Sequence, residues 1–522
     1  MIELSPIELV FGLLVVAIAL AYVARRIGVA YPILLVLGGL ALGFLPGLPA
    51  IELEPDVVFL LLLPPILFGA GYSTPIRDFK ANARPIALLA IGLVLFTTVA
   101  VGIVANTLVP ELGLAAALAL GAIVAPPDAV AATSIFQRLH VPRRIVTILE
   151  GESLINDASA LIAYRFAVMA ALGTLFTPLD AGLAFVYAAV GGVIVGLIMG
   201  VVVTEFWRRT SDPTLEIMVS LVVPFAAYLS AETVGASGVL ATVVAGLIAG
   251  RRAARALSPS ARLMGRGVWD IVTFLINGFA FMLIGLQLPA ILSHLAPRSA
   301  PELLALGAAV SVTAIVARIV WVFPATYLPR LLSARIRERD PYPPANAVFV
   351  VSWAGMRGAV SLAAALALPL DVPERELLIF LTFCVIVATL VGQGLSLPWL
   401  IRRLRVVAGS GAETEETTAR LAAVDAAMTR LNGLAEEFPG HLELVDQLKA
   451  RFSHEIGHVP ATAEGPRDES ELELLEHLEI RNAVLTAERE AVIQLRDAGV
   501  IGDEVLRRIE RDLDLEALRT GA

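Results

Sequence analysis

Apolar stretches close to 20 residues long recur through the first ~400 of the 522 positions in this chain. Each can cross the ~30 Å hydrocarbon layer of a bilayer as a helix. Thirteen spans are read: 7–24, 32–48, 56–71, 85–108, 113–136, 146–171, 183–206, 214–231, 237–250, 268–288, 302–323, 345–370 and 377–400. Composition agrees, with 57% hydrophobic residues and a mean hydropathy of +0.80, far above a soluble domain. The expected fold is an all-α polytopic membrane protein. The start of the chain lacks the charged stretch and small-residue cleavage site of a secretory signal, so the first span is expected to be retained.

Basic residues test the span count. Arg25 and Arg26 follow span one, Arg77, Lys80 and Arg84 span three, and Arg138, Arg143 and Arg144 span five. Arg208 and Arg209 follow span seven, a run from Arg251 to Arg266 follows span nine, and Arg330 to Arg339 follow span eleven. Arg402, Arg403 and Arg405 follow span thirteen, whereas the alternate loops hold only Arg298 and Arg375. Positive charge stays on the cytoplasmic side. The reading is therefore a cell-membrane protein with its N-terminus outside and its tail inside.

After Arg405 the character changes. Residues 409–522 carry 25 acidic and 12 basic side chains, so this part is at −13 and leaves about +4 of the total −9 for the membrane part. Two domains follow: a transmembrane domain over 1–405 and an acidic helical cytosolic tail over 406–522. In the tail, 414–433, 470–498 and 503–518 read as helical, with Pro460 and Gly465-Pro466 as a linker. Leu472, Leu475, Leu478 and Leu485 offer an apolar seam. Cys384 stands alone in an apolar run and reads as packing.

Two spans are interrupted. Span five holds Ala125-Pro126-Pro127-Asp128, where adjacent prolines remove two backbone donors. Span twelve holds Gly355-Met356-Arg357-Gly358. Broken helices in corresponding positions of two halves mark the site of inverted-repeat transporters, so core helices are expected at about 85–171 and 302–400. Span six carries Gly-Glu-Ser-Leu-Ile-Asn-Asp-Ala-Ser over 151–159. Glu152 and Asn156 share one helix face, Ser153 and Asp157 the adjacent one. Counting about 1.5 Å per residue places Asp157, Arg357 and Asp128 all near the midplane. Ionisable groups there are costly unless paired or placed on an ion pathway.

Asp157 is the expected carrier, because one carboxylate can hold a proton or a cation but not both well. Asp128 and the free carbonyls after the prolines suit a small hard cation; the alternative for Asp128 is a helix cap. Ser153 can add a hydroxyl oxygen or bond back to its own helix. Glu152 needs a buried partner, with Arg318 and Arg357 both available; Arg357 can instead compensate helix ends at the break. Arg165 is expected to snorkel outward, and Asp270 and Asn277 to pack or cap. No histidine lies in a span, which argues against a histidine proton relay.

At these residues the chain resembles the bacterial NhaP-like sodium/proton antiporters, in the cation–proton antiporter family that includes the mammalian sodium/proton exchangers. The resemblance rests on 125–129, 150–158 and 355–362 (Gly-Met-Arg-Gly-Ala-Val-Ser-Leu) and spans about 1–405. It implies thirteen helices, a dimerisation domain and a mobile core moving by an elevator-like step. It also implies that Asp157 binds the ion, with Asn156 before it and Ser153 and Asp128 near the ion, and that Glu152 and Arg318 form a bridge. Two departures stand out. The family often has Thr where this chain has Pro127, leaving only a backbone carbonyl there, and many members have Glu where this chain has Gly69.

The expected activity is sodium/proton antiport, one for one because the 156–157 pair brings a single carboxylate. Potassium/proton antiport on the same scaffold is the alternative. An intramembrane aspartyl protease would pair its carboxyls in Tyr-Asp and Gly-x-Gly-Asp contexts, which do not occur; a passive cation channel is a further possibility. The expected partners are sodium, lithium or potassium, protons, the bilayer and a second copy of the chain. No cofactor, enzyme activity or nucleic acid is called for.

Overall fold

The computed structural model of the chain describes residues 6–45, 58–173, 178–295, 298–406, 411–457, 483–495, 498, 500 and 503–520. It divides into two compact units, Met1–Ala408 and Gly409–Ala522.

In the first unit every regular element among the described residues is helical. Leaving aside short helical segments such as Ile76–Ala81, Leu288–His294 and Ala334–Arg339, in order these are α1 (Pro6–Ile27), α2 (Tyr31–Gly43), α3 (Leu63–Ser73), α4 (Ala83–Leu108), α5 (Gly113–Val124), α6 (Ala129–Leu139) and α7 (Arg143–Ala171). Then come α8 (Pro178–Arg209), α9 (Pro213–Thr233), α10 (Gly238–Ala256), α11 (Pro259–Leu286) and α12 (Ala300–Leu332). Last are α13 (Ala345–Trp353), α14 (Ala359–Leu366) and α15 (Arg375–Leu404). Nine helices among the described residues are long and apolar enough to cross a membrane. This is a multi-pass membrane protein. Its outer surface supports that: Val186, Val190, Ile194, Leu197 and Val201 run exposed along α8, a face that only lipid or another apolar surface can cover.

The helices sort into two bundles. One packs α4, α5, α7, α12, α13, α14 and α15 together, the other α3, α8, α9 and α10, with α11 lying against α2. Helix starts are set by capping side chains. Asp212 accepts from the Thr214 N–H at 2.8 Å, and Ser237, Ser258 and Ser299 cap α10, α11 and α12 in the same way. At the α3–α10 crossing the backbones touch, so a Cβ on Gly246 would fall 2.5 Å from the Phe68 carbonyl oxygen. Small residues permit that approach in lipid, where packing holds helices together. Helical segments with wide turns interrupt the ladders at Leu88–Leu93 within α4 and Ala388–Gln393 within α15; such π-turns are frequent at functional sites.

One loop residue ties together the arginine-rich ends of the first bundle. Asp340 accepts from Arg84 at 2.5 Å, Arg144 at 2.6 Å and Arg330 at 2.7 Å, so it links α4, α7 and α12. Partial burial pushes its carboxyl upward, but hydrogen bonds and charge from Arg144 and Arg330 outweigh this and hold it below the usual carboxylate range.

In the second unit α16 (Gly411–Glu437) packs on α17 (Leu442–Gly457), and α18 (Asp503–Thr520) closes the chain. The sequence reading omitted α17, whose strong amphipathicity was the available signal. Within the expected helix 470–498, only 483–495, 498 and part of the seam (Leu485) are described, as helix at 483–495. Leu472, Leu475, Leu478, Pro460, Gly465 and Pro466 lie outside the described residues.

Candidate functional site: two broken helices crossing at a buried carboxylate

Pro126 and Pro127 stop α5 at Val124 and force the chain to restart at Ala129; the glycines at 355 and 358 do the same between α13 and α14. The two interruptions cross, and the Asp128 N–H donates to the Met356 carbonyl at 2.7 Å. Four helix ends thus meet inside the bundle, and their orphan backbone groups must be satisfied there.

Charge is distributed to suit those ends. Asp128 caps α6, accepting from the Val130 N–H at 2.8 Å. Its Oδ2 lies so close to Gly358, at the start of α14, that any side chain there would overlap it. Arg357, 1% exposed, sits at the opposite poles. Its Nε donates to the Val124 carbonyl at 3.0 Å and its Nη1 to the Gly355 carbonyl. No carboxylate pairs with it among the described residues; it neutralises carbonyl ends. Its backbone N–H donates to Thr389 Oγ1 at 3.1 Å. Thr389, in the wide turn of α15, therefore fixes the non-helical segment that carries Arg357. The sequence reading passed over it, although a threonine in an apolar span was a visible signal.

Glu152 resolves to one of its two available partners. Arg318 Nη1 and Nη2 donate to Glu152 Oε1 and Oε2 at 2.5 and 2.8 Å, with both residues fully buried. Arg318 Nη2 also donates to the Val351 carbonyl at 3.2 Å. One guanidinium thereby joins α7, α12 and α13.

Asn156 and Asp157 face the crossing from α7. Asn156 is fully buried, and its Nδ2 donates to the Pro127 carbonyl at 2.9 Å. Its Oδ1 is buried without a hydrogen-bond partner among the described residues. Asp157 is 8% exposed, within electrostatic reach of Asp128, and accepts no hydrogen bond from any described residue. Ser153, half-buried one turn earlier on the same face, is likewise uncommitted. Asn156 is thus tied to the Pro127 carbonyl, and the Asp157 carboxylate is left beside that of Asp128; carboxylate oxygens are the kind of ligand that hard cations take. Tyr31, which the sequence reading did not single out, lies within electrostatic reach of Asp128 and packs its ring against Phe274 of α11, tilted by 46° with centroids 5.6 Å apart.

Arg165 is exposed, in keeping with the outward reach expected of it, and also pairs with Glu232 at 3.1 Å. Asn277 is buried, in keeping with packing, with its Nδ2 without a partner among the described residues, whereas Asp270 is exposed rather than packed. A cavity of about 570 Å³ lies apart from the carboxylates, among Arg208, Arg251, Arg252 and Arg255 at the ends of α8 and α10.

Among the described residues the bundle is all-helical, and the crossing of two broken helices beside a buried, uncommitted carboxylate is the arrangement of an ion-coupled transporter. Residues 13–403 match the family described as sodium/hydrogen exchanger, transmembrane, and the chain belongs to that family. It is 36% identical to an uncharacterized Na(+)/H(+) exchanger of Mycobacterium tuberculosis, over 98% of this chain and 96% of the relative. It is 34% identical to a sodium, potassium, lithium and rubidium/H(+) antiporter of Bacillus pumilus, over 70% of this chain and 56% of that one. Its fold is like that of the sodium proton antiporter MjNhaP1 from Methanocaldococcus jannaschii, with a TM-score of 0.61 at 20% identity, covering 76% of this chain and 98% of that structure.

Proposed function

We propose that this protein carries out secondary active sodium/proton antiport, one sodium for one proton, by competition at Asp157. The observation that carries the reading is the Asp157 carboxylate: buried, bonded to no donor among the described residues, and next to the orphaned Asn156 Oδ1. A proton satisfies it in one half of the cycle. A desolvated sodium held by Asp157, Asp128, Ser153 and the Pro127 carbonyl satisfies it in the other. Asn156 positions Pro127 through its amide, Arg357 stabilises the helix ends, and the Glu152–Arg318 pair holds the repeats together.

The wider reading has thirteen spans in inverted repeats, the N-terminus outside and the acidic tail in the cytoplasm. The bundle carrying the carboxylates moves as an elevator against the other, in a homodimer. Asn156 is neutral, so only Asp157 gives up a proton when sodium binds, and the cycle moves no net charge. In proteoliposomes with an entrapped pH dye, a sodium pulse should drive proton flux that an imposed membrane potential does not alter, with no current on a solid-supported membrane. A current scaling with turnover would exclude one-for-one exchange and make Asp128 a second proton site. The cation range of the Bacillus pumilus relative makes lithium, potassium and rubidium the informative comparisons; a potassium response without a sodium response would favour the potassium/proton alternative.

A further inference from the structure

We propose that Arg165 and Glu232 form a positioning latch that fixes the two bundles in the arrangement seen here and must open in each transport cycle. This rests on the antiport reading with a moving core. Arg165 lies on α7, eight residues beyond Asp157, roughly 12 Å farther along the helix that carries the ion site. Glu232 lies near the end of α9, in the other bundle. Arg165 Nη2 donates to Glu232 Oε2 at 3.1 Å and to Oε1 at 3.3 Å.

The two partners differ in how firmly they are held. Glu232 Oε1 also accepts from the N–H of Gly238, the first residue of α10, at 3.2 Å. That corner is braced further: Tyr187 Oη donates to the Val234 carbonyl at 2.8 Å, and the Ser237 N–H to the Ala188 carbonyl at 2.9 Å. Glu232 is therefore a fixed acceptor built into the α8–α9–α10 corner. Arg165 has no partner besides Glu232 among the described residues.

The remaining contact between these helices is of another kind. Leu154 and Ala158 of α7 meet Leu63 and Leu67 of α3 and Val239 and Val243 of α10 in one apolar cluster. Apolar contact is non-directional, so such a face can slide without losing a specific partner. An ion pair is directional and requires N···O within about 4 Å. A shift of α7 by a single turn, about 5.4 Å, would break it. The apolar surface thus holds no directional partner, while the pair at its end does. Both side chains are partly exposed, so the pair is weak enough to open repeatedly.

The test replaces the pair by a reversible covalent link in the full chain. Arg165→Cys with Glu232→Cys, in a Cys384→Ala background, is reconstituted and joined with a short bis-methanethiosulfonate reagent. The expected result is loss of sodium-dependent proton flux on joining and recovery on reduction. Joined protein exchanging at the rate of its reduced form would overturn the latch. As an independent measure, Arg165→Gln and Glu232→Gln should each shift the sodium half-saturation about two- to fivefold in the same direction. The exchanged pair Arg165→Glu with Glu232→Arg should restore it. Parent-like half-saturation in both single variants would overturn the proposal, since a merely structural contact would alter melting alone. Absence of exchange in the unmodified protein would instead sink the antiport reading, so the two failures are distinct.

Discussion

Asp157→Asn is expected to reduce sodium-dependent proton exchange to the background of empty vesicles, while the variant inserts and melts as the parent does. The amide has the same shape and lies where no described residue donates to the carboxylate, so no native hydrogen bond is lost. What disappears is the alternation: an amide neither releases a proton at working pH nor supplies a charge to a desolvated sodium. Removing a charge from a low-dielectric site is also favourable to folding when that charge has no partner, so the variant should melt no lower than the parent. Reconstituted vesicles with a pH dye, beside a thermal melt in detergent, check both halves. Sodium-driven proton flux well above background in this variant would move the carrier role to Asp128.

Glu152→Gln and Arg318→Ala should each destabilise the protein by about 3–5 kcal/mol, the cost of leaving one member of a fully buried pair uncompensated. Arg318→Ala is expected to be the worse of the two. It strands the Glu152 carboxylate and removes the donor to the Val351 carbonyl, opening the junction of α7, α12 and α13. A Glu152→Gln, Arg318→Met double variant should recover much of the loss, because removing both charges also removes their desolvation cost. Melting curves of the purified protein decide the matter. Parent-like melting of both single variants would mean that the pair contributes no stability.

That the chain crosses a membrane many times was readable because hydrocarbon imposes a length and a composition on each helix. The prolines at 126 and 127 and the glycines at 355 and 358 announced the two interruptions, since each removes helix stability locally. Glu152 was recognisable as needing a buried cation, but the choice between Arg318 and Arg357 was not. It depends on which guanidinium reaches α7 and which meets carbonyls instead. Arg357 takes the carbonyls of Val124 and Gly355 because the two broken segments cross, a contact between positions more than 200 residues apart. The same crossing aims Asn156 at the Pro127 carbonyl and gives Thr389 its role. The Asp340 cluster and the Arg165–Glu232 pair escaped the sequence for a related reason. Single charges in loops and at helix ends carry no periodicity, so only the packed structure reveals their partners.

Competition between sodium and protons for one carboxylate is the centre of the account, and the pH dependence of the sodium half-saturation tests it most directly. Initial rates of exchange would be measured in proteoliposomes across sodium concentrations at a series of pH values. When a proton and a cation exclude each other at one ligand, apparent cation affinity falls with acidity, approaching about tenfold per pH unit once the protonated form dominates. The account predicts that rise in half-saturating sodium toward acid pH, with the maximal rate recovered at high sodium. A half-saturation that stays constant while the maximal rate falls would contradict it, because protons would then act at a site that sodium does not occupy.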